Sequence, residues 1–268
     1  MKTKIDKPKF VIVEITDRCN FKCKHCFANK SDSELDLASW KKIFENINKE
    51  KIKYVTISGG EPLLYKDLFF LLKDVRSNDA ILTLDTNGSL INESNVKFIE
   101  RYFSKVRITH FGINKSWHAN TQSDEIYEYK FYQALRILCD SKSEVHVKIP
   151  LFNNNVNNLF KILDDLKRFD IDKIILVPIN YFGKDTKIKN FVTSSEAKKL
   201  IKEYGDKTRN IKVSRWPKFR QFLIRSNGDV VLSPPIGKEE MLLGNAMDMS
   251  ISELWDKVPD EYKHVNED

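Results

Sequence analysis

Short runs rich in Val and Ile alternate along this chain with stretches whose apolar residues recur every three to four positions. The run Lys9 to Thr16 (KFVIVEIT) has the length and composition of a buried strand. Downstream, Leu37, Trp40, Ile43, Phe44 and Ile47 share one face of a helix spanning Leu37 to Lys49. The pattern then repeats. Strands are predicted at Tyr54 to Ser58, Ile81 to Thr86, Lys105 to Ile113, Glu144 to Phe152 and Asp172 to Ile179. Helices are predicted in DLFFLLKDVRS, in NESNVKFIERYF, around Glu125 to Asp140, in VNNLFKILDDLKRF and in SSEAKKLIKEY, the last behind a Ser194 cap. Six β-then-α units in succession call for parallel strands with right-handed crossovers, as an open doubly wound sheet or as a partial barrel. After Trp216 the pattern changes to a hairpin, QFLIRSNGDVVLS, with Asn227-Gly228 supplying the positive φ angles of its turn. A short helix, Ile251 to Val258, follows behind Ser250 or Ser252.

Polar or glycine-rich segments follow each strand: TDRCNFKCKHC, GGEP, NG, NKSWH, NNN and NYFG. All six fall at the C-terminal rim of the parallel strands, where such folds place their chemistry. With 268 residues, 41% hydrophobic and 31% charged, the composition is that of a globular protein. No apolar run reaches the ~18 residues of a membrane span, and no secretory signal opens the chain, so a cytoplasmic location is expected. The net charge of +7 comes from lysines scattered among acidic residues, which makes nucleic acid an unlikely partner.

Of four cysteines, Cys139 stands alone while Cys19, Cys23 and Cys26 crowd into a C-x3-C-x2-C loop. In a reducing compartment such a group signals metal or catalysis, not a disulfide framework. Three thiolates can hold three irons of a cubane cluster and leave the fourth open. A structural zinc ion would want a fourth ligand, from His25 within the motif or from His110, His118 or His146 at a distance.

The loop resembles the CxxxCxxC motif of the radical S-adenosylmethionine (SAM) family. SGGEP (Ser58 to Pro62) resembles the family's GGEP after the second strand, and TNG (Thr86 to Gly88) an element after the third. The resemblance covers roughly Lys9 to Lys184. It implies an enzyme in which Cys19, Cys23 and Cys26 bind a [4Fe-4S] cluster whose open iron is chelated by SAM. Gly59, Gly60 and Glu61 would meet the methionine amino group, and Asn87 belongs to the same cofactor-binding set. The Ser or Asp frequent on the family's fourth strand is replaced here by ITHFGIN, with His110 or Asn114 as substitutes; a buried histidine satisfied by the backbone is an equal reading of His110. Asn153 would bind the ribose, and Pro178 and Ile179 would lie near the adenine. The catalytic residues on the substrate side are unknown.

The expected fold is therefore α/β: a partial (β/α)6 TIM-like barrel over residues 9–215, with a small C-terminal α+β appendage, hairpin plus helix, over 216–268. FLIRSNGDVVLS and LLGNAMDMSISELW resemble the family's SPASM or twitch segment, but no cysteine follows Cys139, so this segment cannot build an auxiliary cluster. The resemblance implies hydrogen-atom abstraction from a peptide (RiPP-type) or a small metabolite. The basic surface would suit an acidic flavodoxin- or ferredoxin-type reductant, and because the first cysteine is at position 19, a peptide substrate would need a separate recognition protein or recognition through the barrel rim. The alternatives are an activase that makes a glycyl radical on a partner, and a zinc-stabilised nucleic-acid-binding module. Cys139, near the end of the fourth helix away from the rim, is expected to be a small buried hydrophobe and not a hydrogen donor.

Overall fold

The computed structural model describes residues 2–23, 26, 34–75, 80–113, 126–178, 192–205, 210–214, 221–233 and 240–266. The chain divides into two compact units. The first comprises Met1–Cys19, Ala28–Leu84 and Trp216–Asp268; the second comprises Asn20–Phe27 and Asp85–Arg215.

The first unit is built on β2 (Phe10–Glu14), β3 (Tyr54–Ser58) and β4 (Ile81–Thr86), paired in parallel. Val11, Val13, Val55, Ile57, Leu82 and Leu84 are buried on one side of these strands. The helix α1 (Leu37–Lys49) buries the apolar stripe read from the sequence, Trp40, Ile43, Phe44 and Ile47, and packs against α2 (Leu68–Val75). Asp36 caps α1, its carboxylate accepting from Ser39 N at 2.8 Å. On the other flank of β2 the strand β9 (Gln221–Ile224) pairs in parallel, followed by antiparallel β10 (Asp229–Ser233) and β11 (Met241–Asn245). The short helix α8 (Ile251–Asp256) buries Ile251, Leu254 and Trp255, and a two-stranded pair, β1 (Lys2–Lys4) with β12 (His264–Asn266), joins the two ends of the unit.

The second unit carries α3 (Val96–Tyr102) and a parallel sheet of β5 (Lys105–Thr109), β6 (Glu144–Leu151), β7 (Lys173–Pro178) and β8 (Ile211–Val213). The helices α4 (Tyr127–Cys139), α5 (Asn153–Val156), α6 (Leu159–Leu166) and α7 (Ser194–Tyr204) complete it. Each of α4 and α6 buries one apolar stripe, as amphipathic helices laid on a sheet must. The α/β class and the six β/α units expected from the sequence are both present among the described residues.

Three local expectations are corrected. The cap of α7 is Thr193, whose hydroxyl accepts from Glu196 N while Glu196 reaches back to Thr193 N, a capping box that Ser194 cannot form. Of the pair Asn227-Gly228 only Gly228 takes a positive φ, +87°. Gly228 N donates to Arg225 O at 2.9 Å, so the turn needs only one left-handed residue. The helix expected over VNNLFKILDDLKRF is confined to Leu159–Leu166, α6, and the NNN segment before it, expected as a loop, forms the short helix α5.

Candidate functional site

In the first unit the β2–β3 ladder continues past the strand ends into the loops that follow. Ile15 N donates to Ser58 O at 3.0 Å, Gly60 N to Thr16 O at 2.7 Å, and Glu61 N to Arg18 O at 2.8 Å. The GGEP turn is thus zipped along the backbone that enters the cysteine motif. Both glycines are demanded by this approach. A Cβ on Gly59 would lie 2.3 Å from Thr16 O, and one on Gly60 2.2 Å from Arg18 O. Glu61 is fully buried, and its carboxylate accepts from Leu63 N at 3.1 Å, capping the turn Pro62–Leu64.

A brace that sequence reasoning missed holds this segment. Thr16 donates its hydroxyl to Glu34 at 2.6 Å and accepts from Arg18 N at 3.1 Å. The Arg18 guanidinium grips both oxygens of Glu34, at 3.0 and 2.9 Å, and donates to Leu64 O at 2.8 Å. Glu34 lies after the cysteine motif, Arg18 before it and Leu64 after GGEP, so three sequence-distant stretches meet on one guanidinium fork. Nothing in the spacing of 16 residues announces the pair.

At the end of β2, Glu14 is buried beside Arg225, whose Nη1 lies 3.4 Å away and whose Nη2 holds Glu240 at 2.7 and 2.6 Å. Burial pushes the Glu14 carboxyl up to about 7, against the attraction of Arg225 and with the help of Asp17 and Glu240.

In the second unit Asn87 sits in a closed ring of hydrogen bonds. It donates to Asn20 at 2.9 Å, Asn20 donates to Ser89 at 2.7 Å, and Ser89 donates its hydroxyl to Asn87 at 2.6 Å. The Tyr127 hydroxyl donates to the Asn87 carbonyl. Gly88, φ +82°, allows Ile108 to pack where a Cβ would collide at 2.3 Å. Phe21, buried, meets Tyr127 edge-on at 4.3 Å and Phe111 at 6.5 Å. The TNG element therefore anchors the Asn20-Phe21 part of the cysteine loop. Cys26 N donates to Cys23 O at 3.3 Å, turning that part of the loop back on itself.

The structure also places Asn153 and His110. Asn153 is exposed at the start of α5, whereas Asn155 is buried. Asn155 accepts from Phe152 N at 2.9 Å and donates to Pro150 O at 2.8 Å, holding the end of β6. His110 is completely buried, with Nδ1 accepting from Gly112 N and Nε2 donating to the Tyr132 hydroxyl, each at 3.3 Å. Burial drives its imidazole down to about 3, so it is a neutral core group. Pro178 is buried at the end of β7. Cys139 ends α4, and burial raises its thiol to about 11, which leaves it protonated. Asn114, Ile179, His25, His118 and residues 234–239 lie outside the described residues.

The residues fit an iron–sulfur cluster and its cofactor on two counts. None of the three motif cysteines is in a disulfide, and all are part-exposed. The glycine turn brings bare backbone beside the motif's entry, with no Cβ in the way. No three His, Cys, Asp or Glu side chains among the described residues gather as a single metal ion would need. Three thiolates serving separate irons do not need that convergence.

Residues 13–177 match the model of the Radical SAM superfamily. A pre-heme d1 synthase of Dinoroseobacter shibae is 32% identical over 189 residues, 67% of this chain and 46% of that protein. A GTP 3′,8-cyclase of Aliarcobacter butzleri is 30% identical over 67% of this chain and 58% of its own length. The chain spans about half the length of these curated relatives. Among solved structures, Streptococcus suis SuiB bound to its precursor peptide SuiA superposes with a TM-score of 0.78. The match covers 94% of this chain and 65% of SuiB at 17% identity, a likeness of fold.

Proposed function

The chain belongs to the radical SAM superfamily, and from that premise we propose that it abstracts a hydrogen atom from a peptide or small-metabolite substrate. Enzymes of this family use a [4Fe-4S] cluster and S-adenosylmethionine, which together supply a 5′-deoxyadenosyl radical. Cys19, Cys23 and Cys26 hold the cluster as thiolates. Gly59 and Gly60 present backbone to the cofactor's methionine end, and Glu61 offers its carboxylate to the ammonium there. Asn87 and Asn155 fix the loops around the cofactor, while Asn114, Asn153 and Ile179 are further contacts for its nucleoside part. The observation that carries this reading is the zipper from Ile15 to Glu61, which ties the glycine turn to the start of the cysteine motif.

A peptide substrate is supported by the likeness to SuiB, and a small metabolite by the synthase and cyclase relatives. Electrons come from a flavodoxin- or ferredoxin-type donor in the cytoplasm, and a peptide would be delivered by a separate recognition protein. No helix among the described residues is long and apolar enough to cross a membrane. The test is anaerobic. Reconstituted, reduced protein is expected to convert S-adenosylmethionine to 5′-deoxyadenosine, read by chromatography, and Cys23→Ala is expected to abolish the product. Undiminished product from Cys23→Ala would refute the ligand assignment.

A further inference from the structure

Within the second unit the cysteine loop is held by a buried apolar side chain. Across Asn20–Cys23 the backbone is neither helix nor strand, Asn20 and Lys22 are exposed, and Phe21 is buried. A segment that lacks ladder hydrogen bonds takes its order from what its side chains bury and bond.

Phe21 enters a cage made by two rings from other elements. Phe111, just beyond β5, stands 6.5 Å away at 71°, and Tyr127, the first residue of α4, stands 4.3 Å away at 84°. Phe111 and Tyr127 are themselves 6.3 Å apart. All three rings are buried, and the edge-on arrangement is one that aromatic quadrupoles favour.

Tyr127 also holds the neighbouring loop residue, by a different route. Its hydroxyl donates to the Asn87 carbonyl, with the Thr109 carbonyl 3.4 Å away. The Asn87 side chain donates to Asn20 at 2.9 Å and accepts from Ser89 N at 2.9 Å. One tyrosine thus bears on Phe21 with its ring and, through Asn87, on Asn20 with its hydroxyl. Downstream of it α4 buries Phe131, Ala134, Leu135 and Leu138, so Tyr127 is presented from a packed helix. Core packing alone would be served by phenylalanine. A hydroxyl on a side chain only 1% exposed is costly unless bonded, and this one is bonded to the main chain of the turn after β4.

We propose that Tyr127 is a positioning residue for the cluster and its cofactor: its ring pins the cysteine loop through Phe21, and its hydroxyl fixes the turn at Asn87. This assignment rests on the function proposed above and adds to it the residue that holds both parts. The two handles act on different quantities. Loss of the ring contact frees the loop that carries Cys23 and Cys26, so it acts on cluster retention. Loss of the hydroxyl leaves the ring in place and loosens Asn87, so it acts on cofactor affinity.

Both quantities are read without turnover, on anaerobically reconstituted protein with its cluster oxidised. Phe21→Leu should release iron to a chelator roughly tenfold faster than wild type, the size of one aromatic contact and part of a buried ring. Tyr127→Phe should release iron within about twofold of wild type. It should nevertheless bind S-adenosylmethionine, titrated calorimetrically, roughly fivefold more weakly, the size of one hydrogen bond. Tyr127→Leu should show both losses, and adding Phe21→Leu to it should hasten release by less than about twofold, because the ring contact is already gone. If circular dichroism shows Tyr127→Leu unfolded, the two conservative variants carry the test. Leu138→Ala, about three turns along the same helix, is the control: it should lower stability to urea with both readouts within about twofold of wild type. Equal losses in Leu138→Ala would mark a general loosening and overturn the assignment. So would unchanged iron release in Phe21→Leu, unchanged affinity in Tyr127→Phe, or full additivity of Tyr127→Leu with Phe21→Leu. Wild-type protein that takes up no cluster, or binds no S-adenosylmethionine once loaded, overturns the radical reading and the assignment with it. A loaded wild type that its variants match overturns the assignment alone.

Discussion

Adding one methyl group at Gly60 is expected to disable cofactor use more than it disables folding. The backbone there does not take a positive φ, so alanine is acceptable to the torsion angles and the penalty is purely one of space. The new Cβ would lie 2.2 Å from Arg18 O, 2.6 Å from Arg18 C and 2.7 Å from Asp17 O, all main-chain atoms with no rotamer to yield. Ordinary contact begins at 3.4 Å, so the two strands of loop must part by more than 1 Å. That motion pulls on the bonds Gly60 N to Thr16 O, 2.7 Å, and Glu61 N to Arg18 O, 2.8 Å. Overpacking of about 1–3 kcal/mol and partial weakening of these two hydrogen bonds, about 1 kcal/mol together, give a destabilisation of roughly 2–4 kcal/mol. A displacement of about 1 Å at a site that positions a reacting cofactor costs on the order of a hundredfold in rate. Urea denaturation and 5′-deoxyadenosine formation by the reduced protein measure the two effects. Gly205→Ala is the control. Gly205 has φ +88° but nothing within 4 Å of an added Cβ, so it should lose stability through strain and keep its turnover. Gly60→Ala with wild-type stability and turnover within twofold of wild type would refute the close approach and the role built on it.

Other perturbations test separate parts of the structure. Arg18→Ala removes the fork on Glu34 and Leu64 O. Because the pair is partly exposed, the loss should be only about 1 kcal/mol, with reduced iron retention after reconstitution as the sharper readout. Glu14 should make the fold less stable as pH rises: its folded carboxyl is raised from 4.5 to about 7, so the folded state holds the proton more tightly between those values. Stability from this group is complete below 4.5 and lost by about 7, worth on the order of 3 kcal/mol. Glu14→Gln should therefore match wild type in urea near pH 4.5 and exceed it at pH 8; an equal difference at both would contradict the burial argument. Asn155→Ala strands Phe152 N and Pro150 O in the interior and should cost roughly 1–3 kcal/mol in the same assay, whereas Asn153→Ala, exposed, should cost less than about 0.5 kcal/mol.

Periodicity alone determined the regular elements. The helix Leu37–Lys49 and the strands Tyr54–Ser58 and Ile81–Thr86 lie where the apolar pattern places them, because burial on one face is a local, repeating demand. The cysteine motif and GGEP were equally legible, since thiolate spacing and paired glycines are chemical signals within a few residues. Tertiary packing decided what local pattern leaves degenerate. Thr193 and Ser194 are both hydroxyls, and only the reach of Glu196 selects the first as cap. Of three consecutive asparagines, burial selects Asn155 and exposes Asn153. Arg18 with Glu34, and Asp85 with Arg107 and Lys148, are charged residues on unrelated segments that look solvent-facing in the sequence. Their partners are set by strand register and loop contact, and a charge's energy depends on the neighbours that replace its water. Those neighbours exist only once the chain has folded.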